Sequence, residues 1–175
     1  MKLKSLIELK TDLNVKNSNG KTILFDLCSK EKLVEKELLK ELIQSNANPN
    51  VKYQSLMKTL EDNNTPLLQL ISLENPESEK IKILLENRAD PNCSNRFNVT
   101  PFHQFCRTGE ENEKVLRVFL EHKARLNSCD RYQITPLIDL IKRKHYSSFL
   151  VCILGKENPF GIATQEVICF SQILI

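Results

Sequence analysis

The feature that most constrains what this chain can fold into is a seven-residue phrase that returns four times. Thr22-Ile-Leu-Phe-Asp-Leu-Cys28, Thr65-Pro-Leu-Leu-Gln-Leu-Ile71, Thr100-Pro-Phe-His-Gln-Phe-Cys106 and Thr135-Pro-Leu-Ile-Asp-Leu-Ile141 align without gaps, and their threonines are 43, 35 and 35 residues apart. A second phrase alternates with the first: Leu42-Ile-Gln-Ser-Asn-Ala47-Asn-Pro-Asn50, Leu84-Leu-Glu-Asn-Arg-Ala89-Asp-Pro-Asn92 and Phe119-Leu-Glu-His-Lys-Ala124-Arg-Leu-Asn127. An earlier copy, Leu6-Ile-Glu-Leu-Lys-Thr11-Asp-Leu-Asn14, precedes the first threonine. Two phrases alternating at a nearly fixed step mean one unit copied in tandem. A unit this short cannot enclose its own apolar face, but copies stacked side by side can share one.

The local chemistry of each phrase predicts a helix pair. In Thr-Pro the threonine oxygen caps free backbone N–H groups, and proline fills the first helical position, where its missing donor costs nothing. The apolar positions that follow, such as Leu67, Leu70 and Ile71, fall three or four apart on one face. A polar turn is expected next, at Arg107-Thr108-Gly109-Glu110 or Glu74-Asn75-Pro76-Glu77. A second helix follows with its own stripe, as in Leu38, Leu39, Leu42 and Ile43 or Val115, Leu116, Phe119 and Leu120. It stops before Ala47, Ala89 and Ala124, where Asn-rich residues read as a turn. The first step is longer than the others, and Val51 to Asp62 carries the insertion.

These phrases resemble the ankyrin repeat, whose first helix begins T-P-L-H. Thr100-Pro101-Phe102-His103 is the closest copy, and the ending of 84–92 is equally typical. The resemblance covers roughly residues 3 to 154 and implies an all-α ankyrin-repeat solenoid of stacked helix-turn-helix units. It places an ankyrin-repeat domain at 1–157, with a half repeat at 1–14, repeats at about 17–50, 60–92, 95–127 and 130–157, and an apolar C-terminal tail at 158–175. Fold-back of that tail over the last unit is the favoured reading, with contact to another subunit as the alternative. Two departures stand out. The family places glycine before the conserved alanine, where this chain has Asn46, Arg88 and Lys123. The small residue late in the first helix is replaced by Leu27, Leu70, Phe105 and Leu140.

Composition excludes other classes. Apolar residues make up 41% and charged residues 27%, a globular mixture. No uncharged stretch approaches the roughly 20 residues of a membrane-spanning helix, and no signal peptide is visible, so a cytoplasmic location is expected, with the nucleus as the alternative. Six cysteines lie no closer than 13 positions apart, so no CxxC motif exists, and reduced, buried thiols are expected. No G-x-S-x-G, phosphate-cradling glycine loop or H-E-x-x-H occurs. His103 is expected to bond within and between repeats, and Asp26 and Asp139 to join a polar ladder with Gln69 and Gln104. No catalytic residue, cofactor or metal is expected.

Net charge is +3, too balanced to imply nucleic acid. Its distribution is uneven: residues 1–91 carry 14 basic and 14 acidic side chains, whereas 92–146 carry 10 and 6. The resemblance implies a concave binding surface built from loop tips and first helices. Carried over by position, it selects Arg96, Phe97, Val99, Arg107 and Thr108 in one unit and Arg131, Tyr132, Ile134, Lys142 and Arg143 in the next. Earlier units contribute Ser18, Asn19, Lys21, Glu61, Asp62, Asn64 and Leu73. The expectation is a non-enzymatic module that grips a protein partner, an acidic segment, on the basic-aromatic end, with no nucleic acid or membrane. Lys142 to His145 is read as a solvated charge run. The alternatives are a substrate-recruiting adaptor fragment of a larger assembly and a host-directed microbial or viral effector.

Overall fold

The computed structural model describes residues 11–29, 36–54, 63–73, 76–108 and 112–142. Among them the regular elements are seven helices and no strand: α1 (Ile23–Cys28), α2 (Lys36–Gln44), α3 (Pro66–Ile71), α4 (Ser78–Glu86), α5 (Pro101–Thr108), α6 (Glu113–Glu121) and α7 (Pro136–Lys142). They alternate short and long, as the two phrases require. The four short helices start one residue after Thr22, Thr65, Thr100 and Thr135. Each of these Oγ1 atoms accepts a hydrogen bond from the backbone N–H three residues on, at 3.3 Å in every copy. Four identical caps are strong support for the repeat.

The long helices end identically too. The N–H groups of Ala47, Ala89 and Ala124 return to the carbonyls of Leu42, Leu84 and Phe119 at 3.0, 2.9 and 3.0 Å. Those of Asn46, Arg88 and Lys123 bond the carbonyls of Ile43, Leu85 and Leu120. This double bond pattern is the Schellman motif, and it forces the residue before each alanine into the left-handed region. Asn46, Arg88 and Lys123 stand there at φ of 76°, 68° and 58°. The family's glycine position is therefore occupied by side chains that strain it, at roughly 1 kcal/mol each for Arg and Lys.

First helices pack on first helices (α1 on α3, α3 on α5, α5 on α7), and second helices on second helices (α2 on α4, α4 on α6). The result is a two-layered stack with one continuous apolar core running from Leu13 to Leu140. Leu27, Leu70, Phe105 and Leu140, the bulky replacements, are all buried. Around Phe105 the extra volume becomes an aromatic trio, with ring centroids 6.3 Å (Phe102–Phe105), 5.5 Å (Phe102–Phe119) and 5.6 Å (Phe105–Phe119) apart. The thiols of Cys28 and Cys106 share one repeat slot with Ile71, and all three are buried. Burial, only partly offset by nearby Lys80, pushes the Cys28 thiol up to about 12. Burial also raises Cys106 far above the ordinary thiol value. Cys93 is half-buried, however, and Cys129 is exposed, so the expectation of buried thiols fails for these two. Cys152 and Cys169 lie outside the described residues, as does the whole 158–175 tail.

Between units the chain makes a narrow hairpin tip. Asn17, Asn95 and Asp130 each open a tip, and each Oδ1 accepts two backbone N–H bonds, from residues two and four positions on. The residue two before each threonine is left-handed: Gly20 at 76°, Asn63 at 66°, Asn98 at 58° and Gln133 at 60°. At Gly20 a Cβ would meet the Gln54 carbonyl oxygen at 2.0 Å, so only glycine allows that tip to lie on the next. The insertion leaves and re-enters through the second tip. Its base is closed by bonds between Tyr53 and Asn64 (2.8 Å) and between Asn63 and Tyr53 (2.7 Å). Tyr53 stacks on Phe25 at 4.9 Å.

Candidate functional site

Three devices lock neighbouring units together and fix where the surface side chains stand. The first is an asparagine ladder. Asn14, Asn50 and Asn92 each donate from Nδ2 to the carbonyl of the left-handed residue of the next unit, namely Asn46 (3.1 Å), Arg88 (2.8 Å) and Lys123 (3.2 Å). Each Oδ1 accepts from the N–H two residues further on, at Asn48 (2.7 Å), Asp90 (2.8 Å) and Arg125 (2.7 Å). One amide thus satisfies both edges of the neighbouring turn. Sequence reasoning took these residues as turn formers only. Their recurrence as the last residue of the second phrase, three positions after Thr11, Ala47 and Ala89, was the signal that could have shown the ladder.

The second device is His103, fully buried. Nδ1 accepts from the Thr100 hydroxyl (2.8 Å) and backbone N–H (3.3 Å), while Nε2 donates to the Ile134 carbonyl of the next unit (3.1 Å). Because Ile134 offers only an acceptor and Thr100 N–H only a donor, the network selects the neutral ring protonated on Nε2. A second proton on Nδ1 would face a donor. Burial is the main force holding this imidazole below its usual value, against the opposing hydrogen bond to Ile134. The bond within and between repeats expected from the sequence is present.

The third device is ionic. Arg107 donates through Nη2 to Asp130 Oδ2 (2.6 Å) and through Nε to Asp139 Oδ2 (2.7 Å). The Asp130 side chain is 1% exposed, Asp139 12% and Arg107 27%. Burial raises the Asp130 carboxyl, but the Ile134 and Tyr132 N–H bonds and the Arg107 guanidinium outweigh it and hold the group below its usual range. The polar ladder expected at the Asp26 and Asp139 position takes local forms. Asn17 donates to Asp26 (3.1 Å), and Asn64 donates to Gln69 (3.3 Å) while accepting from Asn95 (3.2 Å).

These locks redistribute the expected surface residues. Arg107 and Thr108 sit inside α5 and not in a turn, and Arg107 spans two units. Val99 is buried at 6% exposure, because it lies between the Asn95 bond and the Thr100 cap, so its side chain is not on the surface. Asn64 is likewise buried, and Ile134 is half-buried with its carbonyl taken by His103. Lys142 ends α7. Arg143, Glu61 and Asp62 lie outside the described residues.

What the structure does bring together is Arg96, Phe97, Arg131 and Tyr132. Arg131 N–H bonds the Phe97 carbonyl at 2.9 Å, joining the third and fourth tips edge to edge. The Arg96 guanidinium carbon lies 4.8 Å from the Phe97 ring centroid, and that of Arg131 lies 5.2 Å from it and 5.2 Å from the Tyr132 centroid. Cations and rings alternate along the strip. Tyr132 is 68% exposed and both arginines are exposed. A smaller cluster marks the first tips, where Lys21 Nζ stands 5.6 Å from Phe25 and 5.3 Å from Tyr53. Among the described residues no group of three or more His, Cys, Asp and Glu side chains is placed to hold a metal ion, and no helix is long and apolar enough to cross a membrane.

No curated protein matches the chain. The family model for ankyrin repeats (3 copies) matches residues 68–158, about half of the sequence. It overlies the region where threonine caps, Schellman ends and the first-on-first, second-on-second packing recur, and on that agreement the chain belongs to the ankyrin-repeat family.

Proposed function

We propose that this chain is a non-enzymatic binding module that holds an acidic protein segment on the Arg96–Phe97–Arg131–Tyr132 strip. Ankyrin repeats are, in general, protein–protein interaction modules, and the family is typically non-enzymatic. The observation that carries the finer reading is the strip itself: two guanidinium groups stacked on aromatic rings at two hydrogen-bonded tips. A guanidinium over an aromatic ring engages the ring through its charge, and its planar fork of N–H donors is suited to carboxylates in pairs. Residues 94–99 and 131–134 contain no acid, and the adjacent Asp130 is buried and paired with Arg107. The tips are held by Asx bonds and inter-unit locks, so little ordering entropy remains to be lost on binding.

The test is Arg96→Glu combined with Arg131→Glu, read by fluorescence anisotropy with a labelled glutamate-rich peptide. Affinity should fall at least tenfold while the far-UV circular dichroism and unfolding midpoint stay in place. Unchanged affinity in a folded double variant contradicts this site.

A further inference from the structure

We infer that the junction between the third and fourth units is an acid-sensitive hinge: protonation of His103 undocks the tip at 130–134 together with α7, while the units upstream stay stacked. His103 lies on α5 of the third unit, but its Nε2 reaches forward to the Ile134 carbonyl of the fourth at 3.1 Å. The ring is fully buried, and α7 packs on the helix that carries it, so the Nε2 edge gains solvent when the fourth unit leaves. A second proton would sit on Nδ1, which already receives the Thr100 hydroxyl at 2.8 Å and the Thr100 backbone N–H at 3.3 Å. The hydroxyl can turn round and accept, but the backbone N–H cannot, so the docked ring has no acceptor set for both protons. Once the Ile134 bond is gone, the ring is free to swing out and place both N–H groups in water.

The charged groups that face the ring leave that proton uncompensated. Arg107, on the same helix, opposes it. Asp130 in the tip and Asp139 on α7 favour it, but each is already bonded to Arg107, at 2.6 and 2.7 Å. The other first helix packed on α5, α3, carries no ionisable side chain, and burial keeps the Cys106 thiol neutral. No other described junction holds an imidazole. At the slot of His103 the other units carry Phe25, Leu68 and Ile138, and His122 bonds the Val118 carbonyl one turn back at 2.8 Å. The first junction uses Lys16 on Gln54 (2.9 Å), and the second uses Lys52 on the Ser94 carbonyl (2.7 Å) and Asn95 on Asn64 (3.2 Å). In a stack whose units touch only their neighbours, one weakened junction opens without unfolding the rest. Opening parts the Arg131 N–H from the Phe97 carbonyl (2.9 Å) and so splits the Arg96–Phe97–Arg131–Tyr132 strip. The effect on a partner rests on the binding reading above; the opening itself does not.

The experiment is amide hydrogen exchange of the full chain, without peptide, at pH 7 and pH 5, with protection corrected for the intrinsic rate at each pH. The amides of Asp26, Gln69 and Asp139 are matched probes, since each bonds the threonine carbonyl of its own unit, at 2.9, 2.9 and 3.2 Å. Burial holds the docked imidazole below its usual value of 6.5, so docking is fullest above that pH and weakens as pH falls. An undocked imidazole titrating at 6.5 favours the open form at pH 5 by at most about thirtyfold. Protection of Arg131 and Asp139 should therefore fall by about three- to thirtyfold, with Asp26 and Gln69 changing by less than about twofold. His103→Gln should abolish that pH dependence, and so should His103→Leu, which copies the side chain of Leu68 at the equivalent slot. Equal loss at all three matched probes, no loss at Asp139, or a pH dependence that persists in either variant overturns the hinge. None of these outcomes bears on the acidic-partner reading, which the Arg96→Glu and Arg131→Glu titration tests separately.

Discussion

Removing the Arg107 guanidinium should weaken the fold rather than the binding surface. The substitution Arg107→Met keeps most of the apolar stem and deletes two charge-assisted hydrogen bonds, at 2.6 Å to Asp130 and 2.7 Å to Asp139. Such bonds contribute about 1.5–3 kcal/mol each, and the 27% exposure of Arg107 puts both near the lower end. Asp130 Oδ2 is then left buried without its partner, although Oδ1 keeps the Tyr132 and Ile134 N–H groups. Deleting one partner of a buried pair costs about 3–5 kcal/mol, and the retained bonds reduce that. The expected loss is about 3 kcal/mol. Urea unfolding followed by far-UV circular dichroism at pH 7 measures it. If the array unfolds in stages, the loss appears in the transition of the downstream units. Asp130→Asn in the Arg107→Met background should recover part of the loss, giving a coupling energy of at least about 1 kcal/mol in the double-mutant cycle. A change below about 0.5 kcal/mol, accompanied by lost peptide binding, would refute the reasoning and return Arg107 to the partner surface.

Other consequences follow from the same geometry. Arg88→Gly and Lys123→Gly relieve left-handed strain of roughly 1 kcal/mol at each of two Schellman ends, and after the extra freedom of glycine in the unfolded state is subtracted each should stabilise the chain by up to about 0.5 kcal/mol in urea unfolding; a loss of stability beyond about 0.5 kcal/mol contradicts the cap assignment. Acid should weaken the fold in two stages: His103 is held neutral, so its contribution is full above the unfolded value near 6.5 and is lost as pH falls through its lower folded value. Asp130, also lowered, contributes fully above about 4 and loses that contribution as pH falls through its folded value. His103→Gln should erase the first stage of the pH profile of the urea midpoint and leave the second. Cys129 should react with maleimide in the native protein, whereas Cys28 and Cys106 should react only on unfolding, a contrast peptide mass spectrometry resolves.

The parts of this fold that were readable from sequence are those in which one residue decides a local geometry. Threonine before proline sets a helix start, and the break before Ala47, Ala89 and Ala124 sets an end, whatever lies elsewhere in the chain. The left-handed backbone at Arg88 and Lys123 was legible for the same reason, once the position was matched to the family's glycine. Contacts between units were harder. Arg107 meets acids 23 and 32 residues ahead, and nothing in its own surroundings distinguishes an arginine that clamps the next unit from one that faces a partner. Val99 was misplaced because a tip was expected to be exposed along its whole length. In the structure the backbone folds inward as it approaches the threonine cap. Lys80, 4% exposed and paired with Glu77 at 2.6 Å, carried no sequence signal, since charged residues at a helix start are ordinarily solvated. The aromatic-cation strip was half legible: its residues were selected by repeat position, while the stacking of two arginines on one ring needed the tips to be seen side by side.

The most direct measurement is a map of backbone amide shifts on adding the glutamate-rich peptide. The account predicts that the largest changes fall at residues 95–99 and 130–134, with the Asn-rich turns at 46–50 and 88–92 undisturbed. Changes centred on those turns, or none at all at saturating peptide, would contradict it.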